Sequence, residues 1–351
     1  MAVIATGFFD GVHLGHRLVT DTLLRCARER GEQSVIVTFW PHPRTVLQND
    51  ARSLRLLTSF QEKKALLLGL GIDRVEVLDF SREFSRLTAE QYLRDYVMGR
   101  FGGTAIVLGY DNRLGSDHLG PQEISSLASS LGLDTLIAPA VPVCCEPESG
   151  DLSEAKPASA GRPGRDLCDS RSWKGEKAAG DSRGQSPLNK PRGARPLEAP
   201  SAIISSTKIR AALTGGDVQG AAAMLGYRYG LHGVVVAGNQ LGRTIGFPTA
   251  NMQLYEPLKL VPANGVYLVE VETLGSHYYG MTNIGVKPTV SGAGVRTIET
   301  HIFDFDELIY GLDIRIRFIA KIRDERRFAS LDALRDQLIA DRTHCLEILE
   351  R

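Results

Sequence analysis

Between residue 1 and about residue 143, short apolar runs rich in β-branched residues alternate with stretches whose apolar positions recur near a helical period. The predicted strands are Val3-Ile4-Ala5, Ser34 to Phe39, Arg74 to Leu78, Ala105 to Leu108 and Thr135 to Ala138. The predicted helices between them are Arg17 to Arg30, Ser59 to Leu70, Thr88 to Arg100 and Gln122 to Leu131. Such alternation predicts a parallel sheet with helices on both faces, a fold that binds ligands outside the carboxyl ends of its strands. Two further helices, one reaching about Leu213 and one from Val218 to Leu225, precede a change of period. From Tyr229 onward polar and apolar residues alternate by two, over Leu231 to Val236, Gly265 to Val271, His277 to Ile284, Thr297 to Phe305 and Leu312 to Ile319. Strands in succession, punctuated by Gly and Pro, predict an antiparallel sheet closed into a small barrel. An amphipathic helix follows from Leu331 to Leu349.

The patterning lapses over residues 146–200, which are rich in Gly, Pro, Ser, Lys, Arg and Glu and contain no Val, Ile, Phe or Tyr. Too little apolar surface is on offer there to offset the entropy of ordering, so a disordered insertion is expected. A chain of 351 residues is long enough for two domains. The expected division is 1–145 with 201–226, then 227–351. The 41 basic and 41 acidic side chains cancel, which removes the electrostatic argument for a nucleic-acid partner. Cys26, Cys144, Cys145, Cys168 and Cys345 have neither zinc spacing nor a Cys-x-x-Cys pair, and read as reduced thiols. No apolar run approaches a membrane span, and the opening strand lacks the charged start of a signal peptide. A cytoplasmic protein without a membrane partner, monomeric or weakly self-associating, is therefore expected.

Chemistry concentrates where predicted strands end. Thr6-Gly7-Phe8-Phe9-Asp10-Gly11-Val12-His13-Leu14-Gly15-His16 turns the first strand through glycines into a helix start, where unpaired backbone N–H groups attract phosphates. Gly7, Gly11 and Gly15 let a phosphate approach the backbone, and His13 and His16, three apart, face one side of the helical turn. The order strand, glycine turn, His-x-Gly-His and helix resembles the nucleotidyltransferase superfamily. Ser205-Ser206-Thr207-Lys208-Ile209-Arg210 offers hydroxyls and a second helix start followed by cations; alone it fits an ordinary cap, and combined with His13 and His16 a clamp on ATP phosphates is the preferred reading. Pro41-His42-Pro43 and Asp111-Asn112-Arg113 close the second and fourth strands. In the second half, Pro248-Thr249-Ala250-Asn251 puts a hydroxyl and an amide oxygen on one side of an extended backbone, hard ligands that suit Mg²⁺.

Taken in order, Gly-x-Phe-Asp-Gly-Val-His-x-Gly-His, Thr-Phe-x-Pro-His-Pro, Gly-x-Asp-x-Arg-x-Gly and Ser-Ser-Thr-x-Ile-Arg resemble the bifunctional riboflavin kinase and FMN adenylyltransferase family of bacteria, the FAD synthetases. The likeness continues through the glycine-rich stretch 233–251 and through Asn283, Glu299 and the segment Arg323 to Phe328. It implies an α/β nucleotidyltransferase domain, Rossmann-like with a parallel sheet, followed by a small antiparallel β-barrel riboflavin kinase domain with a C-terminal helix. Implied substrates and products are riboflavin, FMN, FAD and ATP, with Mg²⁺ accompanying ATP. For the first site the resemblance implies His13 and His16 as catalytic groups and ATP contacts from Gly7, Phe9, Asp10, Gly15, Ser205, Ser206, Thr207 and Arg210. Flavin contacts there would come from Pro41, His42, Pro43, Asp111 and Arg113. For the kinase it implies ATP contacts from Gly238, Gly242, Thr244, Gly246 and Pro248, with Thr249 and Asn251 on the metal. Glu299 would be the general base, with Asn283, Arg323, Glu325 and Phe328 beside the flavin. Phe8 stands where the family usually has Asn, and Asn112 and Leu114 where it commonly has aromatic residues or His.

Two other readings meet specific obstacles. A nucleotidyltransferase for a different phosphate acceptor leaves Pro248-Thr249-Ala250-Asn251 and Glu299 unexplained together. A non-catalytic flavin binder has no need of two histidines or of a base.

Overall fold

The computed structural model describes residues 1–47, 54–142, 203–238, 241–287 and 295–350. The expected insertion at 146–200, and with it Cys144, Cys145 and Cys168, lies outside the described residues.

Strands β1 (Ala2–Thr6), β2 (Gln33–Trp40), β3 (Arg74–Asp79), β4 (Gly103–Gly109) and β5 (Asp134–Ala138) pair in parallel in the order β3-β2-β1-β4-β5. The strand order reverses at β1 and β4, so the crevice beyond their carboxyl ends is the place where such a sheet binds ligands. Every residue of β1 is buried, because both faces are covered. Ala2 and Ile4 enter one core with Val35 and Ile106, while Val3 and Ala5 enter the other with Leu23 and Ile36.

Helices α1 (Leu14–Arg30), α2 (Pro43–Leu47) and α3 (Phe60–Gly69) follow the first two strands. Helix α3 opens on a capping box in which the Ser59 hydroxyl accepts from Glu62 N–H and the Glu62 carboxylate accepts from Ser59 N–H. The predicted helix Thr88 to Arg100 opens as α4 (Ala89–Gln91) and continues with π-helical winding from Tyr92 to Arg100. That wider turn puts Tyr92 and Val97, five residues apart, on one buried face. Helix α5 (Pro121–Ser130) completes the layer.

Helices α6 (Ser206–Gly215) and α7 (Val218–Leu225) lead into a closed antiparallel barrel of β6 (Gly230–Val236), β7 (Ala250–Leu254), β8 (Gly265–Thr273), β9 (Ser276–Lys287), β10 (Val295–Ile302) and β11 (Asp313–Arg323). Its order is β10-β7-β6-β11-β8-β9, and a short helix α8 (Leu241–Thr244) lies between β6 and β7. Strand β7 is too short to stand out from the sequence pattern. Strand β10 stops at Ile302 rather than Phe305, and Asp304 just beyond it turns with φ of 53°. Ile209, Leu213, Val218 and Leu225 of α6 and α7 join Leu231, Tyr267, Ile284 and Ile316 of the barrel in one hydrophobic core.

Helix α9 (Leu331–Leu349) covers the barrel's outside, where Cys345 packs with Phe247, Leu268, Met281 and Phe303. It also carries Asp341, 2% exposed, whose carboxylate accepts from Arg323 Nε at 3.0 and 2.9 Å, Arg323 Nη2 at 2.8 Å and Gln337 Nε2 at 2.7 Å. Asp341→Ala leaves that guanidinium without its partner, and breaking a buried pair in this way costs about 3–5 kcal/mol. The expected result is a matching loss of unfolding free energy in denaturant titration.

Candidate active site

The loop after β1 is folded against its own preferences. Phe9, Gly11 and Val12 take φ of 53°, 83° and 39°. For the two side-chain-bearing residues such a conformation costs on the order of 1–3 kcal/mol each and persists only when the surroundings over-determine it. Here they do. The Phe8 carbonyl accepts from Lys63 Nζ at 2.9 Å and Thr38 Oγ1 at 3.2 Å, the Asp10 carbonyl from Ser206 Oγ at 2.9 Å and the Gly11 carbonyl from Tyr227 Oη at 2.7 Å. The Asp10 carboxylate, 4% exposed, accepts from the N–H groups of Leu57 and Thr58, from the Thr58 hydroxyl and from Arg210 Nη2.

This loop delivers His13 to the start of α1 as its N-cap, the imidazole Nδ1 accepting from His16 N–H at 3.4 Å. With Nδ1 accepting, the ring proton of neutral His13 belongs on Nε2. The two imidazoles stack 3.7 Å apart at 17°, and Phe9 meets His16 edge-on at 5.2 Å. Burial lowers the His13 pKa to about 4, with Asp10 opposing and Arg210 assisting. Burial, His13 and Lys63 hold His16 well below its ordinary value, so both rings are neutral near pH 7. His16 Nδ1 is buried with no hydrogen-bond partner among the described residues.

Helix α6 starts beside this pair, capped by Ser205 and tied to the loop by the Ser206 hydroxyl. A Cβ on Gly15 would stand 3.1 Å from the His13 ring and 3.9 Å from the Ile204 carbonyl, which fixes how closely the two helix starts approach. Their free N–H groups and partial positive charge favour an anion between them. Thr207 is exposed at the second position of α6, while Arg210 is engaged by Asp10 and the Arg55 carbonyl.

Beyond β2, Pro41 follows a cis peptide bond and Pro43 opens α2. His42 between them accepts at Nδ1 from Arg44 N–H and lies 3.9 Å from the Phe8 ring. Burial, with the charges of Arg210, Arg44 and Lys63, lowers its pKa to about 3. Beyond β4, Asp111 and Arg113 are exposed, whereas Asn112 turns inward and donates to the Thr6 carbonyl at 3.2 Å.

The barrel brings a second set together. Glu299 on β10 lies opposite Asn251 of β7 on one side and Asn283 of β9 on the other. Residues directly opposite in antiparallel strands share a face, so the three side chains form one row. Thr300, Thr282 and Ala250 alternate with them toward the interior, where the two threonine hydroxyls bond at 2.8 Å. Gly238 abuts the Asn251 amide, since a Cβ there would come within 2.2 Å of Nδ2. Gly242 closes a turn with Phe247, whose N–H donates to the Gly242 carbonyl at 2.8 Å, with Gly246 at φ of 85°. Thr244 and Pro248 belong to the same turn, and the Pro248 carbonyl accepts from His301 Nδ1 at 2.8 Å. Glu325 reaches the row's other end: it accepts from Asn264 Nδ2 at 3.0 Å, and a Cβ on Gly285 would meet both Glu325 and Asn283. Arg323 is instead committed to Asp341, with its guanidinium 5.6 Å from the centre of the Phe328 ring.

Among the described residues no three His, Cys, Asp or Glu side chains stand together as a metal site. The Asn251 amide opposite Glu299 and the Thr249 hydroxyl two residues before it are hard oxygen donors of the kind that complete the shell of a magnesium ion already carried by nucleotide phosphates. A cavity of about 440 Å³ between α3 and the barrel, lined in part by Arg17, Tyr227, Tyr229 and Lys259, includes none of these candidates.

Residues 1–148 match the FAD synthetase family and residues 225–349 the riboflavin kinase family. The bifunctional riboflavin kinase/FMN adenylyltransferase of Bacillus subtilis is 31% identical over 347 residues, covering 98% of this chain and 92% of that protein. The chain belongs to the bifunctional riboflavin kinase/FMN adenylyltransferase family. The Escherichia coli K12 member is 32% identical over 341 residues, with 97% and 90% covered. A solved structure from Streptococcus pneumoniae, described as a macrolide-efflux protein, superposes with a TM-score of 0.75 at 29% identity, covering 97% of this chain and 92% of that one. Among the described residues no helix is long and apolar enough to cross a membrane.

Membership of this family accounts for two clusters of polar residues on one chain, and the structure adds side chains that the motifs omit. Thr58, Tyr227 and Lys63 hold the first loop. Lys63 left a trace in the sequence, since it occupies an apolar-face position of α3 four residues before buried Leu67. Tyr227 left none, because its partner is a backbone carbonyl 216 residues away.

Proposed function

We propose that this chain makes FMN from riboflavin and ATP on its barrel, residues 227–351, and FAD from FMN and a second ATP on its sheet domain, residues 1–145 with 201–226. The observation that carries the reading is the Asn251, Glu299 and Asn283 row on the same chain as an imidazole pair between two helix starts.

In the first step Glu299 takes the proton of the riboflavin 5′-hydroxyl as its oxygen attacks the γ-phosphorus of ATP, and ADP leaves. Asn283 and Glu325 orient the flavin, with Arg323 and Phe328 behind them, and Gly238, Gly242, Thr244, Gly246 and Pro248 shape the nucleotide turn. Thr249 and Asn251 would hold Mg²⁺, which when bound neutralises phosphate charge. In the second step an FMN phosphate oxygen attacks the α-phosphorus of ATP and pyrophosphate leaves. His13 Nε2–H and His16 donate to the α-phosphate, and the α6 start with Ser205, Ser206 and Thr207 receives the leaving pyrophosphate. Asp10 acts through the structure by fixing Leu57, Thr58 and Arg210. Gly7, Phe9 and Gly15 shape the ATP approach, and Pro41, His42, Pro43, Asp111 and Arg113 border the flavin side. Neither transfer needs a covalent enzyme intermediate, because phosphoryl transfer rests on positioning and charge stabilisation.

Purified protein incubated with riboflavin, ATP and Mg²⁺ is expected to yield FMN and then FAD on separation of the flavins. Accumulation of FMN alone would remove the second step from the proposal, and no conversion would overturn it.

A further inference from the structure

Lys63 is 2% exposed and lies under the first site. Its ammonium donates to the Phe8 carbonyl at 2.9 Å and to the Thr38 hydroxyl at 3.0 Å, and stands 3.9 Å from the centre of the Phe8 ring. It thereby ties the strained turn after β1 to the end of β2. The other side of the arrangement is His42, whose ring lies 3.9 Å from that of Phe8. Among the described residues no carboxylate is hydrogen-bonded to Lys63. Asp10 supports its charge from beyond bonding distance, and that carboxylate is already taken by Leu57, Thr58 and Arg210. The charged and titratable groups facing Lys63 are Asp10 from the loop, His16 from α1 and His42 from beyond β2, with Arg210 of α6 bearing on His42.

A buried cation without an ionic partner is costly unless something compensates it. The compensation within the protein is partial: a carbonyl, a hydroxyl and the negative face of an aromatic ring. We propose that Lys63 is the positioning residue of the adenylyl-transfer site, holding the Phe8 to Val12 turn in place and setting a buried positive charge behind His16 and His42 that the incoming phosphates complete. The inference rests on adenylyl transfer taking place at His13 and His16. It also gives Phe8 a role, since its ring is the surface on which the ammonium rests and against which His42 packs.

Burial, opposed by Asp10, lowers the Lys63 pKa from its ordinary value to about 8. The charge is present below that pH and lost above it, so FAD formation should fall as pH rises through about 8. The experiment measures conversion of FMN to FAD across pH 6–10 in the full chain, with riboflavin phosphorylation as an internal check of folding. Lys63→Met is expected to lower kcat for FAD formation by roughly 10²-fold, the scale of a displaced reacting geometry, with FMN formation unchanged. Lys63→Arg keeps the charge at all these pH values and should abolish the alkaline fall while retaining more activity than Lys63→Met. Phe8→Leu removes the ring that favours the charged form and should move the fall to lower pH. If Lys63→Met stays within threefold of the unaltered protein, or Lys63→Arg still declines near pH 8, the proposal is overturned. Should Lys63→Met lose both activities, Phe8→Leu decides: an unmoved profile overturns the proposal. His16→Ala run alongside separates the two ideas, since full FAD formation in that variant would refute the site assignment and the role of Lys63 with it, whereas a loss there with an unaffected Lys63→Met would overturn the role of Lys63 alone.

Discussion

His16→Ala is expected to lower FAD formation from FMN by about 10²- to 10³-fold, the range for removing one preorganised donor to a developing charge. FMN formation from riboflavin should be unchanged. The asymmetry follows from the structure. Among the described residues His16 Nδ1 is buried without a hydrogen-bond partner, and the ring stacks on His13 and meets Phe9 edge-on. The α1 cap does not depend on this side chain, because the bond to His13 Nδ1 comes from the His16 backbone N–H and survives truncation. His13→Ala would be less informative, since it also removes an N-cap worth about 1 kcal/mol. Because the ring is neutral in the free protein, the lost interaction is a hydrogen bond and a shape, not a resident charge. Steady-state rates of the two steps in one preparation provide the check. A fall of less than fivefold in FAD formation, or loss of both activities in a folded variant, would refute the assignment.

Both folds were legible in the sequence because each rests on hydrophobic periodicity. The β1 run is apolar throughout since the sheet is covered on both faces, and the barrel strands alternate since one face is not. Strand β7 escaped because five residues give the alternation too little length. The imidazole pair and the serine-rich helix start were legible as motifs and the resemblance assigned them to one site, yet the bonds that join them were not. Ser206 bonds a carbonyl 196 residues away, and Arg210 a carboxylate 200 residues away, contacts that no spacing encodes. For the same reason Asp10 reads in sequence as a ligand contact, while the structure turns its carboxylate onto Leu57, Thr58 and Arg210. Arg323 is parallel, drawn to Asp341 by a helix eighteen residues on.

Glu299→Gln tests the other half of the molecule, and it is expected to lower phosphorylation of riboflavin by roughly 10²- to 10⁴-fold, the usual contribution of a positioned general base. Conversion of supplied FMN to FAD should persist. A carboxylate in a strand is ordinarily placed on an edge facing water. Glu299 is instead half-buried on a strand paired on both sides, with Asn251 and Asn283 directly opposite it. Glutamine retains the size and the hydrogen-bonding reach of that side chain, so the row and the barrel register are preserved and the proton acceptor alone is lost. If the carboxylate served only to attract or orient substrate, the change would appear mainly in KM. A base predicts the opposite split, with kcat carrying the loss and KM for riboflavin within a few-fold. Glu299→Asp sharpens the distinction, because it keeps a base but withdraws it by one methylene. Activity restored above the Gln level would follow from proton transfer across a longer gap, whereas equal failure of both variants would point to the length of the side chain and not to its basicity.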